Sequence, residues 1–223
     1  FCKAQSHLGI DQRYENILQK TLCRKYFSRP ICLYRNMVIG TSPIIEAWLM
    51  NKICIDARMW GIKHTGIGRY VENLIDNLPS EVVLIIHPEN KEEPKLKRFQ
   101  KYYASFHPYS YLAQFEMFFL LLKIQPKLLH VPHFTVPVLW WGKMVVTIHD
   151  LIKHLSKGSS TTTRHPLIYW VKYLQYLFIV WFAVNRANHI IVPANYWKDI
   201  LVEKYKLNAN SVSVTYEGVS DSL

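Results

Sequence analysis

The stretch ICIDARMWGIKHTGIGRYVENLIDNL, residues 53–78, decides the fold. An apolar run spanning Asn51–Asp56 and ending in an aspartate reads as the first buried strand of an α/β domain. A turn over Ala57–Thr65 follows it. Then Ile67, Tyr70, Val71, Leu74, Ile75 and Leu78 recur at helical spacing, leaving Glu72, Asn73, Asp76 and Asn77 on the wet side. Strand, turn and helix in this order open a parallel sheet.

Outward from there the alternation continues. Val82–Ile86, Leu128–Val131, Val145–Ile148, Ile190–Val192 and Val212–Thr215 are short apolar runs fit for buried strands. Leu112–Leu122, Leu167–Val184 and Tyr196–Tyr205 are helix-length, the last with Asn195 as its expected N-cap. Asn90–Lys101 is charged and is read as a loop or an exposed helical turn. The expected class is α/β, a Rossmann-like doubly wound parallel sheet whose ligands bind at the carboxyl ends of the strands. In the other direction, residues 1–49 have no sustained period and are broken by Pro30 and Pro43. They are expected to be upstream sequence unrelated to the fold, which then starts at Met50. The alternative is an N-terminal extension with a short helix around Tyr14–Phe27.

Composition narrows the function less than the pattern does. Half the 223 residues are hydrophobic, enough for one packed domain, and the formal charge is +11 from 27 Lys+Arg against 16 Asp+Glu. Such a balance favours an anionic partner: a phosphate, a nucleotide or an acidic membrane face. No nucleic-acid motif accompanies it, so nucleic acid is not an expected partner. The cysteines Cys2, Cys23, Cys32 and Cys54 form no CxxC pair, and no metal site is expected. Phe1–Asp11 lacks the form of a secretory signal, which makes a cytoplasmic setting the default expectation.

The turn into the first helix carries the chemistry. Gly66 and Gly68 let backbone N–H groups approach an anion at a helix N-terminus, and Arg58 and Arg69 add charge. A tight strand-to-helix turn needs glycine too, so both readings stand. The dinucleotide fingerprint fails, because its third glycine falls at Val71, which counts against an NAD enzyme.

Asp56-Ala57-Arg58 followed by Thr65-Gly66-Ile67-Gly68-Arg69-Tyr70 resembles the opening of bacterial family 4 glycosyltransferases of the mannosyltransferase type. The resemblance continues through Leu129–Pro137, Val145–Leu151 and Val214–Val219, in order and in register, and so covers roughly Met50 to the end. It implies a GT-B architecture, two Rossmann-like domains across a cleft. Residues 50–219 would be the first, acceptor-binding domain, and 220–223 the start of the linker to a second domain. It also implies retaining transfer of a sugar from a nucleotide-diphosphate sugar, the donor substrate, to a hydroxyl of a glycan or lipid-linked acceptor. No further cofactor is implied. His149 matches a family histidine that reaches the transferred sugar, and Asp150 follows it. Gly66, Gly68 and Arg69 would meet the donor phosphates, with Arg58 and His133 on the acceptor side. His130 is read as a packed strand residue. One departure is Pro193-Ala194-Asn195-Tyr196-Trp197, where the family commonly shows a serine-rich turn.

The segment Leu167–Val184 contains Lys172 and Gln175 and is at the lower limit for a membrane span. A core helix with a greasy exposed edge is the preferred reading. Peripheral attachment to an anionic membrane surface at its inner, cytoplasmic face is the second. The competing function is a non-catalytic Rossmann-like module that binds a phosphate-bearing ligand or a membrane-associated partner.

Overall fold

The computed structural model describes residues 53–151 and 166–216, all within one compact unit, Asn51–Ser222. The expectations for residues 1–49, for the 220–223 linker and for Glu217-Gly218-Val219 lie outside the described residues.

Among the described residues, seven strands form one sheet. They are β1 (Ile53–Asp56), β2 (Val83–Ile86), β3 (Gln100–Tyr103), β4 (Leu128–Val131), β5 (Met144–Thr147), β6 (His189–Val192) and β7 (Val212–Val214). Every pairing is parallel and the order is β3-β2-β1-β4-β5-β6-β7. The helices are α1 (Thr65–Asp76), α2 (Tyr111–Ile124), α3 (Pro166–Arg186) and α4 (Asn195–Tyr205). This is the Rossmann-like α/β class that the alternation predicts.

Right-handed crossovers place α1 on one face of the sheet and α2, α3 and α4 on the other, because the chain moves one way from β1 and the opposite way from β3 onward. The core follows this division. Cys54, Val83, Leu129, Val131, Met144, Val146 and Ile148 pack with Met117 and Leu121 of α2 and Val180 and Ala183 of α3. The alternate strand residues, Ile55, Leu84, His130, Val145 and Thr147, face the α1 side, where Val71, Leu74 and Ile75 are buried. Removing one such buried side chain, Leu129→Ala for instance, costs about 2–5 kcal/mol.

Two local expectations change. β3 begins in the last two residues of Asn90–Lys101, read as a charged loop or exposed helical turn, and runs on to Tyr103. As an edge strand bonded only to β2, Gln-Lys-Tyr-Tyr need not be apolar, so its pattern carries no strand signal. Asn195 does not cap α4. Ala194 takes the cap position without a side-chain bond, and Asn195 Nδ2 donates instead to the Tyr216 hydroxyl at 3.2 Å.

The sheet order reverses between β1 and β4. That junction opens a crevice at the carboxyl ends of the two strands.

Candidate functional site

A small cleft occupies this crevice, lined by Asp56, Met59, Pro108, Val131, Pro132, His133 and Thr135. Asp56 ends β1, and Pro132 and His133 follow β4. Arg58 reaches back to Asp56 with two side-chain bonds, Nε at 2.8 Å and Nη2 at 2.6 Å, and both residues are buried. Burial opposes the guanidinium's charge, but the Asp56 carboxylate and its hydrogen bonds outweigh that and raise its pKa. Arg58 therefore holds the cleft's carboxylate in place. Its own charge is already paired rather than offered to an open acceptor surface. Cys54, one strand turn below, is buried, and its thiol is pushed up by burial and by Asp56, so it is no nucleophile at neutral pH.

His133 is also buried. Its Nδ1 accepts the Thr135 backbone N–H at 3.2 Å, so the neutral ring carries its proton on Nε2 and donates to the Tyr109 hydroxyl at 3.2 Å. Tyr109 stands over His133 edge-to-face, and burial, with Asp150 behind it, raises its pKa.

His149 sits on the next strand end. The Ile148 N–H still pairs with Ile191 O at 2.9 Å, so the chain reaches His149 in strand geometry. Alternation then turns His149 to the α1 side. Its Nε2 donates to the carbonyl of Pro132 at 3.1 Å, and the Tyr70 ring meets it edge-on with centroids 4.7 Å apart. In the neutral tautomer this leaves Nδ1 as the acceptor. The Tyr70 hydroxyl lies 3.3 Å from Thr147 Oγ1, which is 2.9 Å from His130 Nε2. Burial first, and then the neighbouring His149, lower the pKa of His130 to about 4, so it is neutral near pH 7. His130 is the packed strand residue the alternation predicts, but it also anchors this network. Asp150 is exposed. Its charge is felt by Tyr109 and by Tyr176 of α3, where it adds to burial in raising both pKa values. His149 and Asp150 are consecutive, yet they serve different neighbours.

The glycines divide. A Cβ on Gly68 would stand 1.9 Å from the Gly61 carbonyl oxygen, so glycine is required there by the turn crossing over the helix. A Cβ on Gly66 would meet nothing within 4 Å, and its φ is ordinary. Packing explains Gly68 and leaves Gly66 unexplained. Gly66 is exposed in the first turn of α1, where N–H groups lack intrahelical partners. Thr65 before it takes φ 55°, a region β-branched residues rarely adopt, so the helix mouth is strained. Beside it, burial first and then His107, His87 and Lys63 lower the pKa of His64, with Glu89 acting the other way. Tyr70 follows Gly66 by one turn, about 6 Å along the axis. The mouth and His149 thus share one end of α1. Arg69 is exposed on the same turn.

The structure brings His149, His133, Arg58 and the α1 mouth to one edge of the sheet. Sequence reasoning passed over Tyr70, Thr147, Asp56 and Tyr109 as partners. Helical and strand phase identify the first three, whereas nothing in the irregular segment around Tyr109 signals its contact. Among the described residues no group of three or more His, Cys, Asp or Glu side chains is placed to hold a metal.

Comparison with protein families matches residues 64–223, well over half the chain, to the model described as Glycosyltransferase Family 4. The match begins at the mouth of α1. No curated protein matches the chain.

Proposed function

We propose, from the premise that the chain belongs to glycosyltransferase family 4, that its cleft edge is one wall of a site transferring a sugar from a nucleotide-diphosphate sugar to an acceptor hydroxyl. The observation that carries this reading is Gly66: an exposed glycine at a strained helix mouth that neither backbone conformation nor packing requires. A donor diphosphate fits that place, because first-turn N–H groups and the helix dipole both favour an anion. Arg69 lies one turn along for the same charge.

His149 faces the sugar end of such a donor. With Nε2 held by Pro132, the His149 ring is fixed beside the sugar and positions it while the anomeric bond to the diphosphate breaks. The acceptor enters over Asp56, His133 and Tyr109, where a carboxylate and aromatic faces suit a sugar's hydroxyl and C–H surfaces. Finer assignments follow the same reading: a hexosyl, mannosyl-type donor, retention of anomeric configuration, and an acceptor in cell-surface polysaccharide or glycolipid synthesis. Residues 50–219 form the acceptor-side domain, and a second Rossmann-like domain supplies the opposite wall.

The test is transfer of labelled sugar from nucleotide donors by residues 50–219 alone and by a protein that joins them to a second Rossmann-like domain. Charge stabilisation and positioning from an opposite wall together amount to about 10 kcal/mol of barrier, so residues 50–219 alone should be inactive and the two-domain protein active. Robust turnover by residues 50–219 alone contradicts the one-wall reading. A two-domain protein that binds donor without transferring sugar favours the binding-module alternative.

A further inference from the structure

The outer faces of α2 and α3 do not look like the surface of a helix that meets only water. Both helices bury one side against the sheet, through Met117 and Leu121 in α2 and Val180 and Ala183 in α3. Yet Phe115 and Phe119 of α2 and Trp170, Leu174, Phe178 and Trp181 of α3 are between 49% and 66% exposed. Within each helix the spacing is three or four residues, so each set forms a stripe along one side. The stripes belong to one surface. α2 and α3 lie on the same face of the sheet, and the Tyr111 hydroxyl at the start of α2 donates to Gln175 Oε1 of α3 at 2.9 Å. Exposed apolar area of this extent on two adjacent helices marks a contact surface.

The charge around it selects the occupant. α3 contains no acidic residue. α2 contains one, Glu116, whose two oxygens accept the Ser105 and Phe106 backbone N–H groups at 2.7 and 3.0 Å. Lys123 is exposed one turn beyond Phe119, and Lys127 is exposed in the loop after α2. Of the α3 cations, Lys172 stands two positions from Trp170 and Leu174, off the stripe, and Arg186 donates to the Trp141 and Gly142 carbonyls. A second copy of the chain would set these lysines against each other. An anionic surface complements them. The side chains are mostly indole and phenyl rings, the groups that settle at the headgroup level of a bilayer. No helix among the described residues is long and apolar enough to cross a membrane, so the surface would lie on a bilayer rather than span it.

We propose that the outer face of α2 and α3 docks this domain on an anionic lipid bilayer, with the aromatic stripes in the interface and Lys123 among the headgroups. Both helices start at the carboxyl edge of the sheet, the edge that bears the cleft. Docking would therefore hold the cleft mouth beside the membrane, within reach of an acceptor anchored there. The docking itself stands without the transfer reading. Only its use in presenting a lipid-linked acceptor rests on that reading.

The test is co-sedimentation of the full chain with vesicles of phosphatidylcholine, with and without phosphatidylglycerol, followed by tryptophan emission. Binding is expected to the anionic vesicles, with a blue shift, and to weaken as salt is raised, because screening shortens to about 3 Å at 1 M. Phe115→Ser with Phe178→Ser, both at exposed positions, should abolish binding and leave the circular dichroism spectrum unchanged. Lys123→Glu should weaken it at least about fivefold, the worth of one lysine near an anionic surface. Equal binding to both vesicle types overturns the anionic assignment. Concentration-dependent dimerisation lost in the Ser variants, without vesicle binding, shows a second copy as the occupant and overturns the proposal. Neither result bears on sugar transfer to a soluble acceptor, which is measured separately.

Discussion

On one face of the sheet, α1 buries Val71, Leu74 and Ile75 and turns Glu72 and Asp76 outward, where Lys95 bridges both carboxylates at 2.7 and 3.0 Å. On the other face, α3 buries Val180 and Ala183 and turns Trp170, Leu174 and Phe178 outward. The interiors beneath them differ as well. Under α1 lie His130 and Thr147, polar and hydrogen-bonded; under α2 and α3 the strand residues are almost all apolar. A helix with one apolar stripe needs one partner, and a helix apolar on two sides needs two. The α1 face has its polarity where chemistry is expected, beneath the helix mouth and beside His149. The α3 face has its surplus of apolar surface where another body should lie.

The comparison can be sharpened first through acid sensitivity. His130 is held at about pKa 4, below the ordinary histidine value near 6.5. The unfolded chain therefore binds the extra proton between those values. The stability linked to His130 is fully present above about pH 6.5 and is lost as pH falls to about 4, roughly 3 kcal/mol in all. Denaturant titrations across that range should show the loss, and His130→Gln should flatten it. A wild-type profile indistinguishable from that of the variant breaks the account of a polar interior under α1.

The glycines come next. Gly68→Ala drives a Cβ into the Gly61 carbonyl and should cost about 1–3 kcal/mol by the overpacking rule. Gly66→Ala meets open space and should raise stability, by up to about 1 kcal/mol, while weakening donor use. Equal effects of the two substitutions on chemical denaturation midpoints refute the division between a packing glycine and a ligand glycine. The smallest effect belongs to the other face. Phe178→Ser at an exposed position should move stability by no more than about 0.5 kcal/mol. A larger loss would mean that the α3 stripe is buried by the protein's own chain.

Much of this architecture was legible from local pattern. The buried strands show as apolar runs because both faces of a parallel sheet are covered, and α1 shows its phase in Ile67, Tyr70, Val71, Leu74 and Ile75. β3 was not legible, since an edge strand tolerates Gln, Lys and Tyr. Asn195 misled because a capping residue type one position inside a helix looks the same in sequence as a cap. The site was legible by position but not by partner. Strand ends placed His149 and His133, yet the bond from His149 to Pro132 and that from His133 to Tyr109 depend on how separate segments meet. Gly66 and Gly68 are indistinguishable as letters, and only the Gly61 carbonyl above one of them separates their tasks.

The most direct test of the transfer site is the steady-state rate of the two-domain protein with His149→Ala, measured beside its thermal unfolding. His149 lies at the strand end, part-buried, with its Nε2 on a backbone carbonyl. The account predicts a fall in kcat of about 100-fold or more, the scale of losing one positioned hydrogen-bonding group near developing charge, with the melting temperature nearly unchanged. An unimpaired His149→Ala enzyme would contradict it.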